Sequence, residues 1–238
     1  MEWRGQGTVI AHRPHGENAA LVEILSLDQG RVAGLVPGGG GRRMAAMVQP
    51  GNRVSALWRA RLADQLGTLT LEPGAPRPGL MGDAAALDGI NATAALLRFA
   101  LPERDPHPRL AEASEALWDR MDAGEDWAAD YVRWEMLLLD EMGFRLDLTR
   151  CAVTGARSGL CYVSPRTGRA VTADGAGEFA ARLLPLPGLL GGPPGAREIP
   201  DALAITGHFL RLWLAQGHVG RPLPAARDRL VSRLVRAG

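Results

Sequence analysis

The sequence contains no lysine: all 27 of its Lys and Arg residues are arginines. Lysine Schiff-base chemistry, pyridoxal phosphate attachment and the P-loop lysine are therefore excluded. The two cysteines, Cys151 and Cys161, are too few for a disulfide framework. The longest uncharged stretch, residues 183–196, is interrupted by prolines and glycines, which excludes a membrane-spanning helix there. The opening MEWRGQG lacks the basic-then-apolar layout of a signal peptide, so we expect a cytoplasmic protein.

The composition is that of a globular chain of one large or two small domains, with 238 residues of which 46% are hydrophobic and 22% charged. The net charge of +1 hides an uneven distribution. Residues 1–80 carry 9 arginines and 6 acids, residues 81–150 carry 7 and 15, and residues 151–238 carry 11 and 5. Basic ends around an acidic middle suit a protein whose ends meet a polyanion. For the middle itself we favour the simpler interpretation that the acids solvate amphipathic helices.

The amino-terminal third reads as five short strands separated by turn residues, at 8–12, 20–27, 31–36, 53–62 and 67–72. Five strands in about seventy residues predict a five-stranded OB-fold barrel, although a small SH3-like barrel would give a similar pattern. In the fourth strand, alternation places Val54, Ala56 and Trp58 on a core face. Arg53, Arg59 and Arg61 then fall on the opposite face.

A stiff segment rich in proline and glycine, residues 73–79, predicts a domain boundary, with an OB-fold domain over 1–78 and a helical domain over 79–238. Beyond it the hydrophobic period becomes helical, with stripes built around Ile90, Leu110, Trp127 and Phe209. A turn-rich segment at 146–176 holds both cysteines. The predicted fold class is therefore α+β.

The candidate binding site is a basic surface on the barrel. Four glycines at 38–41 precede Arg42 and Arg43, and glycines allow close backbone approach to a ligand while arginines match phosphate oxygens. These two residues could join Arg31 and the arginines of the fourth strand in a groove that follows a nucleic-acid backbone. The DNA-binding set predicted is thus Arg31, Arg42, Arg43, Arg53, Arg59 and Arg61. The alternative is a solvated arginine face beside a flexible loop.

No motif predicts catalysis, a cofactor or a metal. His12 and His15 have the spacing of a metal pair but no further ligands near them, so we interpret them as turn residues. A structural zinc site needs four ligands, whereas Thr154 stands where the second cysteine of a pair with Cys151 would be. Cys151 and Cys161 are predicted to be free thiols.

Several motifs, spread in order over nearly the whole chain, resemble the RecO family of bacterial recombinational-repair proteins. They are GQGTVI at 5–10, RPHGE at 13–17, GRVAGLV at 30–36, QPG at 49–51, LLL at 137–139, GFRLDL at 143–148, Cys151 and YVSP at 162–165.

The resemblance implies an OB-fold followed by a helical domain with a zinc-knuckle region. It also implies binding to single- and double-stranded DNA, annealing of complementary strands, capture of the acidic tail of the single-stranded-DNA-binding protein (SSB), and action with RecR to load RecA, without enzymatic turnover. Two departures matter. The family's loop after the third strand is usually more basic than 38–43 here, and only Cys151 matches the knuckle's ligands, so we expect the knuckle fold without zinc. A protein-only adaptor and an unrecognised hydrolase are the alternative functions.

Overall fold

The five predicted strands form a closed barrel in a computed structural model that describes residues 1–62 and 66–237, without the side chains of residues 42, 43 and 237. The order around the barrel is β1-β2-β3-β5-β4, with all neighbours antiparallel except β3 and β5. This arrangement confirms the OB-fold class over the SH3-like alternative. The strands are β1 (Glu2–His15), β2 (Ala19–Ser26), β3 (Gly30–Pro37), β4 (Arg53–Arg59) and β5 (Gly67–Pro73).

Strand β1 is longer than predicted because its first half pairs with β4 and its second half with β2. Glu2 lies opposite Arg59 and Thr8 opposite Arg53, while from Thr8 onward the strand also pairs with β2. The charged and glycine residues at 2–7 carry no apolar alternation, so the sequence pattern did not reveal this half. Strand β4 ends at Arg59, three residues before the predicted end.

The barrel core consists of the side chains that alternate inward. Val54, Ala56 and Trp58 are buried, which confirms the predicted core face of β4. A short helix, α1 (Arg42–Met47), connects β3 to β4 and packs Met44 and Met47 against this core. The sequence analysis predicted no helix at this position.

The second half of the chain is mainly helical, as predicted. Ile90, Leu110, Leu117 and Leu138 from the predicted stripes are all buried. The helices are α2 (Ala84–Ala100), α3 (Pro108–Asp122), α4 (Ala128–Glu141), α5 (Ala173–Ala176), α6 (Glu198–Phe209), which continues as a π-helical segment (Leu210–Val219), and α7 (Ala225–Ala237). A small sheet with β6 (Leu160–Val163) between β7 (Ala170–Thr172) and β8 (Leu184–Pro185) occupies the turn-rich segment.

The chain divides into two compact units. The barrel unit comprises Met1–Glu125 with Pro224–Arg227, and the helical unit comprises Asp126–Leu223 with Asp228–Gly238. Helices α2 and α3 thus belong to the same unit as the barrel. The boundary predicted from the linker, at residue 78, would instead place these helices in the helical domain. That predicted division into domains stays a prediction. In the described part of the chain, every helix is too short or too polar to cross a membrane.

Candidate nucleic-acid interface

The predicted arginines whose side chains the structure describes fall into two groups, those that are exposed and those largely enclosed by ion pairs within the barrel unit. Arg59 is 64% exposed and pairs with Glu2 at 2.9 Å between Nε and Oε2. Arg61 is exposed as well. Together they line a shallow concavity of about 640 Å³ beside the connection from β4 to β5. Loops at this position border the oligonucleotide site of OB-folds, so these two arginines lie where a nucleic-acid backbone could reach them.

Arg53 is on the same strand but its guanidinium faces helix α3. Its Nε donates to Glu115 Oε2 at 2.9 Å, and its Nη2 donates to Asp119 Oδ2 at 2.6 Å. The alternation of β4 therefore directs Arg53 and Arg59 to the same outer face, as predicted, but the helix covers that face around Arg53. Its charge is matched within the chain.

Arg31 is also paired inside the barrel unit. It donates from Nη1 to Glu23 Oε2 at 2.7 Å and from Nε to the carbonyl oxygen of Leu101 at 3.1 Å, and its side chain is only 16% exposed. Arg98 of α2 donates to the other oxygen of Glu23 at 2.8 Å. Burial raises the pKa of the Glu23 carboxyl, but the hydrogen bonds from Arg98 and Arg31 outweigh it and hold that pKa below its usual value.

The segment between α2 and α3 covers part of the outer barrel surface. The backbone N–H of Arg104 donates to the carbonyl of Arg31 at 2.9 Å, and Arg31 forms a parallel bridge with Glu103. The face of strands 2 and 3 is the usual ligand surface of an OB-fold. In this chain, the segment after α2 occupies one end of that face with its own residues.

Helix α1 begins with Arg42 and Arg43, whose side chains lie outside the described residues. Two of the four glycines before them, Gly38 and Gly39, are explained by the backbone path of the loop. Gly38 has a φ of 71°, and a Cβ on Gly39 would come within 2.8 Å of Ala20 and of the carbonyl of Val36. At these two positions glycine is required by the path of the loop over β2, whatever ligand the loop meets. The assignment of Arg42 and Arg43 to DNA binding stays a prediction.

A buried arginine that the sequence analysis assigned only to the linker organises this side of the barrel. Arg77, whose side chain is 1% exposed, donates to Gly51 O at 2.8 Å, to Glu115 Oε2 at 2.6 Å and to Asp119 Oδ1 at 2.9 Å. Thr8 donates its hydroxyl hydrogen to Glu115 as well. Burial raises the pKa of the Asp119 carboxyl. Hydrogen bonds from Arg53 and Arg77 lower that pKa by more than burial raises it, so it lies below its usual value.

These contacts correct our interpretation of the acidic middle. Glu115 and Asp119, four residues apart on one face of α3, bind barrel arginines and do not only solvate a helix. The spacing of the two acids was the signal available in the sequence. Their partners could not be read there because they are up to 66 residues away.

Family models described as "Recombination protein O N terminal" and "Recombination protein O C terminal" match residues 1–73 and 81–225. The chain belongs to the RecO family. It is 64% identical over 234 residues to the DNA repair protein RecO of Paracoccus denitrificans (strain Pd 1222), covering 98% of this chain and 96% of the relative. It is 51% identical over 239 residues to the DNA repair protein RecO of Cereibacter sphaeroides (strain ATCC 17029 / ATH 2.4.9), covering 100% of both chains. The predicted resemblance is confirmed, and with it a role in DNA repair and recombination.

The segment of this RecO chain that resembles a zinc knuckle is organised around one sulfur atom. Cys151 is buried, and its Sγ accepts hydrogen bonds from the backbone N–H groups of Thr154 and Thr172, both at 3.4 Å. Burial raises the pKa of the Cys151 thiol, but hydrogen bonds from the side chains and backbones of Thr154 and Thr172 outweigh it and lower the pKa to about 6. Cys161 Sγ instead lies 3.9 Å from Val171 O. Among the described residues, no three His, Cys, Asp or Glu side chains are grouped to hold a metal ion, so this donor set does not fit zinc.

The helical unit of the RecO chain contains a basic pocket of about 530 Å³ at the end of the π-helical segment. Arg211 and Arg221 line it together with the apolar side chains of Ala215 and Leu223, and Asp228 contributes one carboxylate. An apolar floor with arginines at the rim is the chemistry that an acidic peptide with apolar side chains requires. The sequence analysis identified the net positive charge of this region but none of these residues as a site.

Proposed function

We propose that this RecO chain is a non-enzymatic mediator of homologous recombination that binds single- and double-stranded DNA and anneals complementary strands. With RecR it helps to load RecA onto DNA covered by SSB. The observation that carries the DNA-binding part is the pair of exposed arginines, Arg59 and Arg61, beside the β4–β5 connection of an OB-fold barrel. Family membership supports the rest.

The mechanism of annealing is charge neutralisation. Arginines that hold the phosphates of two strands close together lower the repulsion between the strands, while the bases stay free to pair. Base readout is weak in this proposal because both aromatic residues of the barrel, Trp3 and Trp58, pack against its core. Without an exposed ring on the barrel, stacking on bases there is limited.

For the acidic tail of SSB, the pocket lined by Arg211 and Arg221 is the proposed site. The guanidinium groups would pair with the carboxylates of the tail, and Ala215 and Leu223 would contact its apolar side chains. We assign no surface to RecR, and RecA takes part only indirectly. The protein acts in the cytoplasm at the nucleoid, not at a membrane.

A strand-annealing assay over a salt series, with and without SSB, tests this function. Wild-type protein should accelerate annealing of complementary oligonucleotides, and it should still do so when SSB covers them. Charge reversal in the variant R59E/R61E should reduce both annealing and the salt dependence of DNA binding. A protein that binds its partners but neither shifts nor anneals DNA would be an adaptor, and that result would overturn the proposal.

A further inference from the structure

An open cleft lies within the barrel unit, between strand β1 and helix α3. It has a volume of about 380 Å³, which is within the usual range of ligand sites. Gln6, Gly7 and Thr8 of the GQGTVI motif line it from β1, and Ala111 and Glu112 line it from α3. Neither the DNA contact nor the SSB-tail pocket proposed above uses these residues.

Two leucines give the cleft an apolar wall. Val9 and Ile24 point into the barrel core, so alternation places Leu25, and Leu27 just beyond the end of β2, on the outer side of the same strands. Leu25 is only 4% exposed, whereas Leu27 remains 49% exposed while lining the cleft. Ala111, also buried, completes the apolar surface from α3. Because Leu27 continues into a concave apolar surface, it differs from the single exposed leucines that occur on any protein.

The cationic group in the cleft is neutralised by its neighbours. Arg53, which lines the cleft, and the buried Arg77 share the carboxylates of Glu115 and Asp119. The four N···O distances lie between 2.6 and 2.9 Å. Because two guanidinium groups thus meet two carboxylates, Arg53 leaves no net charge for a ligand to match.

The uncompensated charge of the cleft belongs to Glu112. This residue is exposed, and within the described part of the chain its carboxylate forms no hydrogen bond or ion pair. The side-chain amide of Gln6 is likewise exposed and makes no hydrogen bond to a described residue. The cleft therefore offers an apolar surface, one free carboxylate and one free amide. The charge that complements it on a ligand is positive.

We propose that this cleft binds a segment of a partner protein in which a lysine or arginine stands beside a large apolar side chain. The apolar side chain packs against Leu25, Leu27 and Ala111, and the cation pairs with Glu112. The amide of Gln6 has both donor and acceptor atoms, which match the C=O and N–H groups of a peptide bond. A polypeptide segment supplies all three chemistries at once, which is why the partner is a protein.

The cleft differs in charge from both sites of the proposed function. Arginines dominate the concavity at Arg59 and Arg61 and the pocket at Arg211 and Arg221, and those sites suit polyanions. Here the unmatched group is a carboxylate, which repels phosphates and acidic peptides. The inference goes beyond the proposed function and does not assume that the chain binds DNA.

The test is a selection from a random heptapeptide library displayed on phage, with immobilised full-length wild-type protein as the target. Phage that also bind the variant L27S/E112K are removed, so peptides that use any other surface of the chain are discarded. We expect the remaining peptides to combine lysine or arginine with leucine, phenylalanine or tryptophan. Synthetic copies should bind L27S/E112K roughly tenfold more weakly than wild type, since an apolar contact and a charge pair are lost together.

Two further variants separate the cleft from general effects. M81S/E17K is the matched control, because it changes another exposed apolar side chain and another exposed carboxylate of the same unit. It should bind the selected peptides as wild type does. E112Q removes the charge and keeps the shape of the side chain, so it should weaken peptide binding and lose most of its salt dependence.

Each other result overturns a stated part of the proposal. Cleft-dependent peptides that are neutral or acidic would overturn the cationic ligand. An empty selection, or equal losses in M81S/E17K and L27S/E112K, would overturn the cleft as a docking site. If E112Q binds the peptides as tightly as wild type, Glu112 is not the partner of the cation. L27S/E112K should still anneal DNA, and R59E/R61E tests that activity, so the two proposals can fail independently.

Discussion

The guanidinium carbon of Arg104 lies 4.0 Å from the centroid of the Trp58 ring, while Trp58 Nε1 donates to the carbonyl of Ala33 at 3.1 Å. This contact closes a seam in the barrel. Strand β3 pairs with β5 only at Gly34 and Leu35, so its first half has no strand on that side. The indole of Trp58 donates to the carbonyl of Ala33 and the backbone N–H of Arg104 to the carbonyl of Arg31, which satisfies two carbonyl groups of β3 that a longer β5 would otherwise bind.

Arg104 also adopts a left-handed backbone with a φ of 58°, which is unfavourable for any residue except glycine. Arg104→Ala removes the cation–π contact and keeps the backbone strain, whereas Arg104→Gly removes the contact and relieves the strain. We expect the Arg104→Gly variant to be more stable than the Arg104→Ala variant by roughly 1 kcal/mol, and neither variant to be more stable than wild type. Urea unfolding followed by circular dichroism measures this. An Ala variant as stable as the Gly variant would show that the turn relaxes without strain.

The ion pairs of Glu23 with Arg31 and Arg98 predict a pH dependence of stability. The pKa of Glu23 is lower in the folded chain than its usual 4.5, so the folded state prefers the ionised carboxylate. The stability it contributes is therefore complete above pH 4.5 and is lost as the pH falls below that value. Glu23→Gln should be less stable than wild type at neutral pH, and the difference should shrink in acid. Glu72→Gln, which replaces an exposed carboxylate of the same barrel, is the control variant.

The barrel was predictable from the sequence because its signals are local. Val54, Ala56 and Trp58 stand at alternate positions of a short strand, and turn residues separate the strands. The environment of the arginines was not predictable for the opposite reason. Arg53 and Glu115 are 62 residues apart, and nothing at either position names the other. The alternation of β4 correctly predicted that Arg53 points outward, but whether solvent or a helix lies there depends on tertiary packing.

This difference in environment predicts different consequences for two pairs of arginines and for Arg53. R59E/R61E should lower the salt slope of DNA binding by up to about 2 with little change in stability, because both side chains are exposed. Replacing Arg42 and Arg43 by Glu should weaken DNA binding and flatten its salt dependence as well.

Arg53→Glu should instead lower stability, since it places a third carboxylate beside Glu115 and Asp119. Binding titrations and unfolding curves of the same variants separate the two effects. An unchanged slope in a pair would remove that pair from the DNA contact.

The environment of Cys151 predicts that the purified protein contains no stoichiometric zinc. Its sulfur already accepts hydrogen bonds from Thr154 and Thr172, and Thr154 replaces a ligand of the pair. Two thiols cannot complete a tetrahedral zinc site. Elemental analysis of protein purified without chelator should find far less than one zinc per chain, and a chelator should not change the unfolding curve. One bound zinc per chain would contradict this prediction.

Among the arginines of the barrel unit discussed above, Arg77 should be the most costly to remove, because the barrel and α3 both depend on its buried side chain. Arg77→Met leaves the carbonyl of Gly51 without its donor and removes one cation from Glu115 and Asp119. Removing one partner of a buried ion pair costs about 3–5 kcal/mol, but the carboxylates here are 31% and 49% exposed and can be hydrated, so we expect about 2–4 kcal/mol. Arg59→Met removes an exposed pair with Glu2 and should lower stability far less than Arg77→Met, because water and salt screen exposed ion pairs. Urea unfolding of both variants, together with the double variant of Arg77→Met and Glu115→Gln, measures the coupling. Additive losses would show that Arg77 stabilises the fold independently of Glu115, through Gly51, Asp119 and packing, whereas a double variant little worse than Arg77→Met would place its stabilising effect in the ion pair with Glu115.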